Sequence, residues 1–125
     1  MPSVLIVDDS PTIRYITSHA LQDSGYEVLT ANDGASAVEL AAEHLPDAIL
    51  LDVILPKLNG FHVCRQIRAN AQTRHIPIVM ITSKDKEPDR DWGMEQGADV
   101  YITKPVDQQE LLATLESLLE AKQHG

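Results

Sequence analysis

Two hydrophobic rhythms alternate along the chain. Short and almost unbroken apolar runs, such as Val4-Leu5-Ile6-Val7, give way to stretches where apolar residues recur every three or four positions, and the exchange repeats five times. Unbroken runs of this length fit strands covered on both faces, and spaced ones fit helices with one buried side. The runs predict strands over 3–8, 26–31, 47–52, 76–82 and 100–103. After the first strand, Ser10 offers a helix N-cap and Pro11 a first helical position where its missing N–H is harmless. Ile13, Ile16, Ala20 and Leu21 follow as the expected inward stripe, and Gly25 stops the helix. Asp33-Gly34 turns into a second helix around 35–44, which Pro46 ends. A third spans 61–70 after Pro56 and Gly60, carrying Phe61, Cys64, Ile67 and Arg68, and a weaker fourth covers 88–96 up to Gly97. In the last helix Asp107 and Glu110 stand at capping-box spacing ahead of a stripe of Leu111, Leu112, Leu115, Leu118 and Leu119.

Strands alternating with helices predict an α/β fold, a five-stranded parallel sheet with helices on both faces. A doubly wound order 2-1-3-4-5 sets strands 1 and 3 side by side, and such sheets bind ligands beyond the carboxyl ends of their strands. Acids stand at those ends: Asp8 and Asp9 after strand 1, Asp52 closing strand 3. An acid inside an apolar run is costly unless it emerges at the strand tip. Asp8 and Asp9 alone would read as a helix cap; with Asp52 they read as one pocket. Converging carboxylates raise one another's pKa unless a cation neutralises them, and an all-oxygen set suits Mg²⁺. Cys64 and the five histidines are scattered without ligand spacing, which argues against a thiolate or imidazole metal. A carboxylate beside Mg²⁺ can attack phosphorus. Thr82 and Lys104, ending strands 4 and 5, would offer a hydroxyl and an ammonium to the phosphoryl oxygens.

Composition narrows the field. The 125 residues fit one domain spanning 1–125, with no linker to a second. Ten Lys and Arg against 19 Asp and Glu leave a charge of −9, which disfavours nucleic acid and anionic membranes as partners. A single cysteine allows no internal disulfide, the start Met1-Pro2-Ser3-Val4 lacks a signal peptide, and no apolar run nears the ~20 residues that span a bilayer. A cytoplasmic chain is expected. Cys64 is expected to be buried and inert, and Trp92 to pack on strand 5.

The strand-end segments Asp8-Asp9-Ser10, Leu51-Asp52-Val53-Ile54-Leu55-Pro56, Asn59-Gly60, Ile81-Thr82-Ser83 and Tyr101-Ile102-Thr103-Lys104-Pro105 together resemble the receiver domains of two-component response regulators. The resemblance covers essentially the whole chain. It implies that Asp52 is the phosphoacceptor for a histidine kinase and that Asp9, Asp52 and the Ile54 carbonyl bind Mg²⁺, with Asp8 acting largely through water. It also implies that Lys104 pairs with the phosphoryl group, that Lys104-Pro105 is cis, and that Thr82 moves toward the phosphate while Tyr101 turns inward behind it, which reshapes helix 4, strand 5 and helix 5. The segment from Thr82 to Gly93, with Lys104-Pro105-Val106-Asp107, resembles stand-alone receivers of the PilH type, which serve chemotaxis-like control of type IV pili and twitching motility. That implies a CheA-like kinase, an output protein the sequence does not name, a monomer or weak dimer, and no effector domain; a phosphate sink is the alternative. A haloacid-dehalogenase-like phosphatase would want a second Asp where Ile54 stands. A flavodoxin-like module would want a hydroxyl- and glycine-rich loop where Asp8-Asp9-Ser10 stands.

Overall fold

In the central strands almost every side chain is covered: all of Ala48–Leu51 and Ile78–Thr82, and all of Ser3–Val7 but its first residue, are buried. Helices on both sides of the sheet make this possible. The computed structural model describes residues 1–124, so Gly125, last of the tail, lies outside them. Within these, the order is β1 (Ser3–Val7), α1 (Pro11–Asp23), β2 (Glu27–Ala31), α2 (Gly34–His44), β3 (Ala48–Leu51), α3 (Gly60–Ala69), β4 (Ile78–Thr82), α4 (Glu87–Glu95), β5 (Val100–Thr103) and α5 (Gln108–His124). The strands are parallel in the expected order β2-β1-β3-β4-β5.

Strand alternation divides the core in two. Leu5, Val7, Ile49, Leu51, Ile78 and Met80 face Ala37 and Ala41 of α2 and Val63, Cys64 and Ile67 of α3. Val4, Ile6, Leu50, Val79 and Ile81 face Leu21 of α1 and Leu111, Leu115 and Leu119 of α5. Side chains cap four helices at their starts: Ser10, Asp33, Asn59 and Asp107 accept from the N–H groups of Ile13, Ser36, His62 and Gln109. No described helix is long and apolar enough to cross a membrane.

Two local expectations need correction. In α1 the buried residues are Thr17 and Leu21, while Ile13 and Ile16 are 36 % and 47 % exposed. Ile13, Thr17 and Leu21 follow one another a turn apart on the inward face, but Ile13 lies in the first turn of α1, and with Ile16 it lines a cavity at the strand tips where the sheet no longer covers it. The strand read from residue 76 begins at Ile78, because Pro77 has no N–H for a ladder and the N–H of Ile78 donates to the Asp99 carboxylate at 2.8 Å.

Arg68, from the end of α3, organises the edge of the molecule remote from the strand tips. It donates to the carbonyls of Arg74, Ile76 and Gly97 and pairs with Asp99 at 2.9 Å. Gly97 turns there with φ +110°, which a side chain would strain, and a Cβ on it would lie 2.8 Å from Arg68 Cγ. The turn after α4 is therefore fixed to α3 and to the start of β4.

Cys64 is fully buried and its thiol donates to the Gln96 carbonyl at 3.3 Å. Burial pushes its pKa up to about 11, only partly opposed by the Arg68 charge. The native thiol should therefore react with Ellman's reagent at pH 8 on the order of a thousandfold more slowly than the urea-unfolded chain, as expected when reaction requires opening. Stopped-flow absorbance of both states measures the ratio; comparable rates would contradict the placement.

Candidate functional site

Register builds the site. Val7 of β1 pairs with Leu51 of β3, so the residues that follow, Asp8 and Asp52, leave the sheet side by side. Their own N–H groups still bond the adjacent strands, Asp8 to the Ala31 carbonyl and Asp52 to that of Val7. Both carboxylates thus rise from the stiffest part of the fold. Gly60 at the start of α3 packs against Asp52 and Val53 so closely that a Cβ would fall 2.7 Å from Val53 Cα, and its N–H donates to the Val53 carbonyl. This pins the loop that carries Asp52 onward.

The two acids are 4 % and 6 % exposed, and Lys104 makes that tolerable. Its ammonium donates to Asp8 Oδ2 and to Asp52 Oδ2, both at 2.9 Å. Lys104 reaches them because Thr82 and Thr103 pair at the ends of β4 and β5 and its own N–H donates to the Thr82 carbonyl. Burial is the largest single influence on the ammonium and disfavours its charge. The hydrogen bonds and charges of Asp52 and Asp8 together outweigh that and raise the Lys104 pKa above its ordinary value. The other carboxylate oxygens are also engaged: Asp8 Oδ1 accepts the Ser10 N–H at 2.9 Å and Asp52 Oδ1 the Ile54 N–H at 3.1 Å. Asp9 is exposed beside them, and carboxylate oxygens of Asp8, Asp9 and Asp52 lie within 4.8 Å of one another. Three hard oxygen donors that close, open to water on one side, fit a small divalent cation such as Mg²⁺.

Thr82 and Tyr101 converge on one residue. Thr82 is fully buried and its Oγ1 accepts the Lys84 N–H at 3.4 Å. Tyr101 is 6 % exposed and its hydroxyl donates to the Lys84 carbonyl at 2.7 Å. Burial, reinforced by Asp89 and opposed by Arg90, raises the Tyr101 pKa. Lys84 joins the two through its backbone, a role that leaves no mark in the sequence. Arg14, whose guanidinium donates to the Asp8 carbonyl at 2.7 Å, was equally hidden, because it bonds main chain rather than an acidic partner. The Lys104–Pro105 peptide bond is cis. Beside it the exposed Ile13 and Ile16, with Val106 and Leu111, line a cavity of about 530 Å³ that reaches Asp8, Asp52 and Lys104. Trp92 departs from expectation: it is 45 % exposed and meets the Phe61 ring edge-on, with centroids 6.4 Å apart.

Residues 4–116 match the response regulator receiver domain. The chain belongs to the response regulator receiver family. This receiver is 45 % identical to protein PilH of Pseudomonas aeruginosa over 95 % of its own length and 98 % of PilH. It also matches longer regulators, such as the transcriptional regulators RpaA of Synechocystis and PhoP of Bacillus subtilis, and spans about half of their length (49 % and 48 %). Among solved structures, the chemotaxis protein CheY4 of Vibrio cholerae superposes with a TM-score of 0.89 at 39 % identity, covering 94 % of this chain and 98 % of that one. The receiver domain of the Pseudomonas aeruginosa sensor histidine kinase PA1611, 33 % identical over 95 % of this chain and 98 % of that one, gives 0.89 and holds a magnesium ion in its active-site cleft.

Lys104→Met leaves two buried carboxylates facing each other. The side chain of Lys104 is 23 % exposed, so the expected loss in urea unfolding at pH 7 is about 2 kcal/mol, below the ~3–5 kcal/mol of a fully buried pair. The folded Lys104 pKa lies above the unfolded one, so its contribution is whole below about pH 10.4 and lost as the pH rises through the folded value. The gap between wild type and variant should hold from neutral pH to about 10 and close above it. A gap that does not narrow at all as the pH rises past that range would contradict the ion pair as its source.

Proposed function

We propose that this receiver is a phosphorylation-switched signalling module in which Asp52 accepts a phosphoryl group from the phosphohistidine of a sensor histidine kinase. The observation that carries this reading is the setting of Asp52: a nearly buried carboxylate at the tip of a central strand, beside two further acids and bonded to a lysine. Asp9 and Asp52 would hold Mg²⁺ directly with the Ile54 carbonyl, and Asp8 largely through water. When bound, the ion neutralises the acids and the incoming phosphoryl oxygens. A carboxylate oxygen of Asp52 forms the new O–P bond as the P–N bond to the donor imidazole breaks, and the electron pair leaves with the imidazole. Lys104 already touches Asp52 and has only to follow the charge onto a phosphoryl oxygen. Hydrolysis of the acyl phosphate by water resets the site.

Thr82 then closes on the phosphoryl group and Tyr101 stays inward behind it. Lys84 is bonded by both, so the start of α4 follows. The phosphoryl group selects one of two pre-existing arrangements, and a partner reads α4, β5 and α5. The module acts by protein contact through the receiver of residues 1–125, monomeric or weakly dimeric, in the cytoplasm. The near-full-length match to PilH supports a chemotaxis-like or type IV pilus circuit with a CheA-like kinase. External phosphomonoesters are not its substrates, because Ile54 occupies the position where a phosphatase of the aspartyl-phosphate type would place its general acid.

Acetyl phosphate with Mg²⁺ should add one phosphoryl group to the wild type, seen as a mass shift of the intact protein, and none to Asp52→Asn. Chelation of Mg²⁺ should abolish the wild-type adduct. An undiminished adduct on Asp52→Asn would place the acceptor elsewhere.

A further inference from the structure

α4 is an unusual helix for this fold. It has nine residues, no side-chain bond at its N-cap Lys86, and one buried residue, Gly93. The residues on either side of that glycine, Trp92 and Met94, are each 45 % exposed. A glycine in a helix interior is among the least favourable choices, so one in so weak a helix calls for a packing reason. The Tyr101 ring supplies it. A Cβ on Gly93 would lie 2.9 Å and 3.0 Å from Cδ2 and Cε2 of that ring and 3.0 Å from Met80 Sδ. Real Cβ contacts are essentially never that short at 2.9 Å; the flexible end of Met80 can give way, but the Tyr101 ring is tied at its hydroxyl to the Lys84 carbonyl, so either the ring or the helix must move.

The ring is held at three points, all provided by the segment that follows β4. Lys84 accepts from its hydroxyl, the Arg90 guanidinium stands 5.5 Å from its centroid, and Gly93 clears space at its edge. The first two are polar contacts that water can replace. The third is volume, and only a residue without a side chain provides it.

We infer that Gly93 is a positioning residue for the switch: its missing side chain is the seat of the inward Tyr101 ring, and so favours the arrangement that binds the phosphoryl group. The inference rests on the reading above in which Thr82 closes on the phosphoryl group with Tyr101 held inward behind it. A side chain at position 93 either drives the ring outward across the edge strand β5 or lifts α4 from the sheet. In both cases the inward state is less populated and ligands that select it bind less well.

The test uses the full chain labelled with 3-fluorotyrosine. Its three tyrosines give three ¹⁹F resonances, of which Tyr101 is assigned by Tyr101→Phe. Gly93→Ala should move the Tyr101 resonance toward the solvent-exposed value, weaken beryllofluoride binding in the presence of Mg²⁺ roughly five- to tenfold, and leave the affinity for Mg²⁺ alone unchanged. In a Tyr101→Ala background, where no ring needs a seat, Gly93→Ala should have no further effect on beryllofluoride. If Gly93→Ala alone fails to fold, recovery of folding in the double variant confirms the same clash. An unmoved resonance, an equal loss in the Tyr101→Ala background, or a misfolded variant that Tyr101→Ala does not recover would overturn the seat. A ring that moves while beryllofluoride affinity stays constant in both Gly93→Ala and Tyr101→Ala confirms the seat and overturns the coupling of Tyr101 to the phosphoryl group.

Discussion

One cation between two acids governs this structure. Asp8 and Asp52 lie side by side because parallel pairing in register leaves them no alternative, and neither is open enough to water to hold its charge unaided. Lys104 resolves the conflict by bridging them. The bridge also closes the fold: it links the tips of β1 and β3, at the sheet's centre, to the end of β5 at its edge. The charge that stabilises the resting protein is therefore the one best placed to meet new negative charge on Asp52. Stability and the proposed reactivity draw on the same contact.

The sequence disclosed the site unusually well because backbone register does most of the assembly. Four of the five apolar runs end in Asp8, Asp52, Thr82 and Lys104, and they need only a parallel sheet in the right order to bring those residues to one rim. Hydrophobic rhythm specifies such a sheet strongly, and no long loop has to be guessed. The inward face of α1 was harder. Ile13 and Ile16 look like core by residue type, yet Thr17 is the buried one, because Ile13 shares its face but lies in the first turn, out at the strand tips, where burial depends on position along the axis as well as on the face. Trp92 misled for a related reason. A lone tryptophan beside a strand suggests packing on it, but the contact with β5 is made by the glycine next door. Lys84 and Arg14 were out of reach, since their bonds run to or from main chain.

Stiffness is distributed unevenly. β1, β3 and β4 are buried on both faces, four helices begin with a side-chain cap, and Gly60 locks the loop after Asp52. α4 has none of these supports. The strand tips that carry Asp8 and Asp52 are therefore firmly set, while α4 beside them has the fewest such supports.

The Arg68 cluster gives any motion of α4 a direction. It grips the carbonyl of Gly97 and the Asp99 carboxylate, just past the end of α4, while the other end of the helix begins without a cap beside Lys84. A rod clamped at one end swings and does not slide. At 1.5 Å per residue α4 is about 13 Å long, so a tilt of ~10° at the clamp carries its free end roughly 2 Å. In such a tilt the largest excursion falls at the end nearest Asp52 and the smallest at Gly97. Any tilt of α4 would thus be that of a lever, with its fulcrum built from an arginine remote from Asp52.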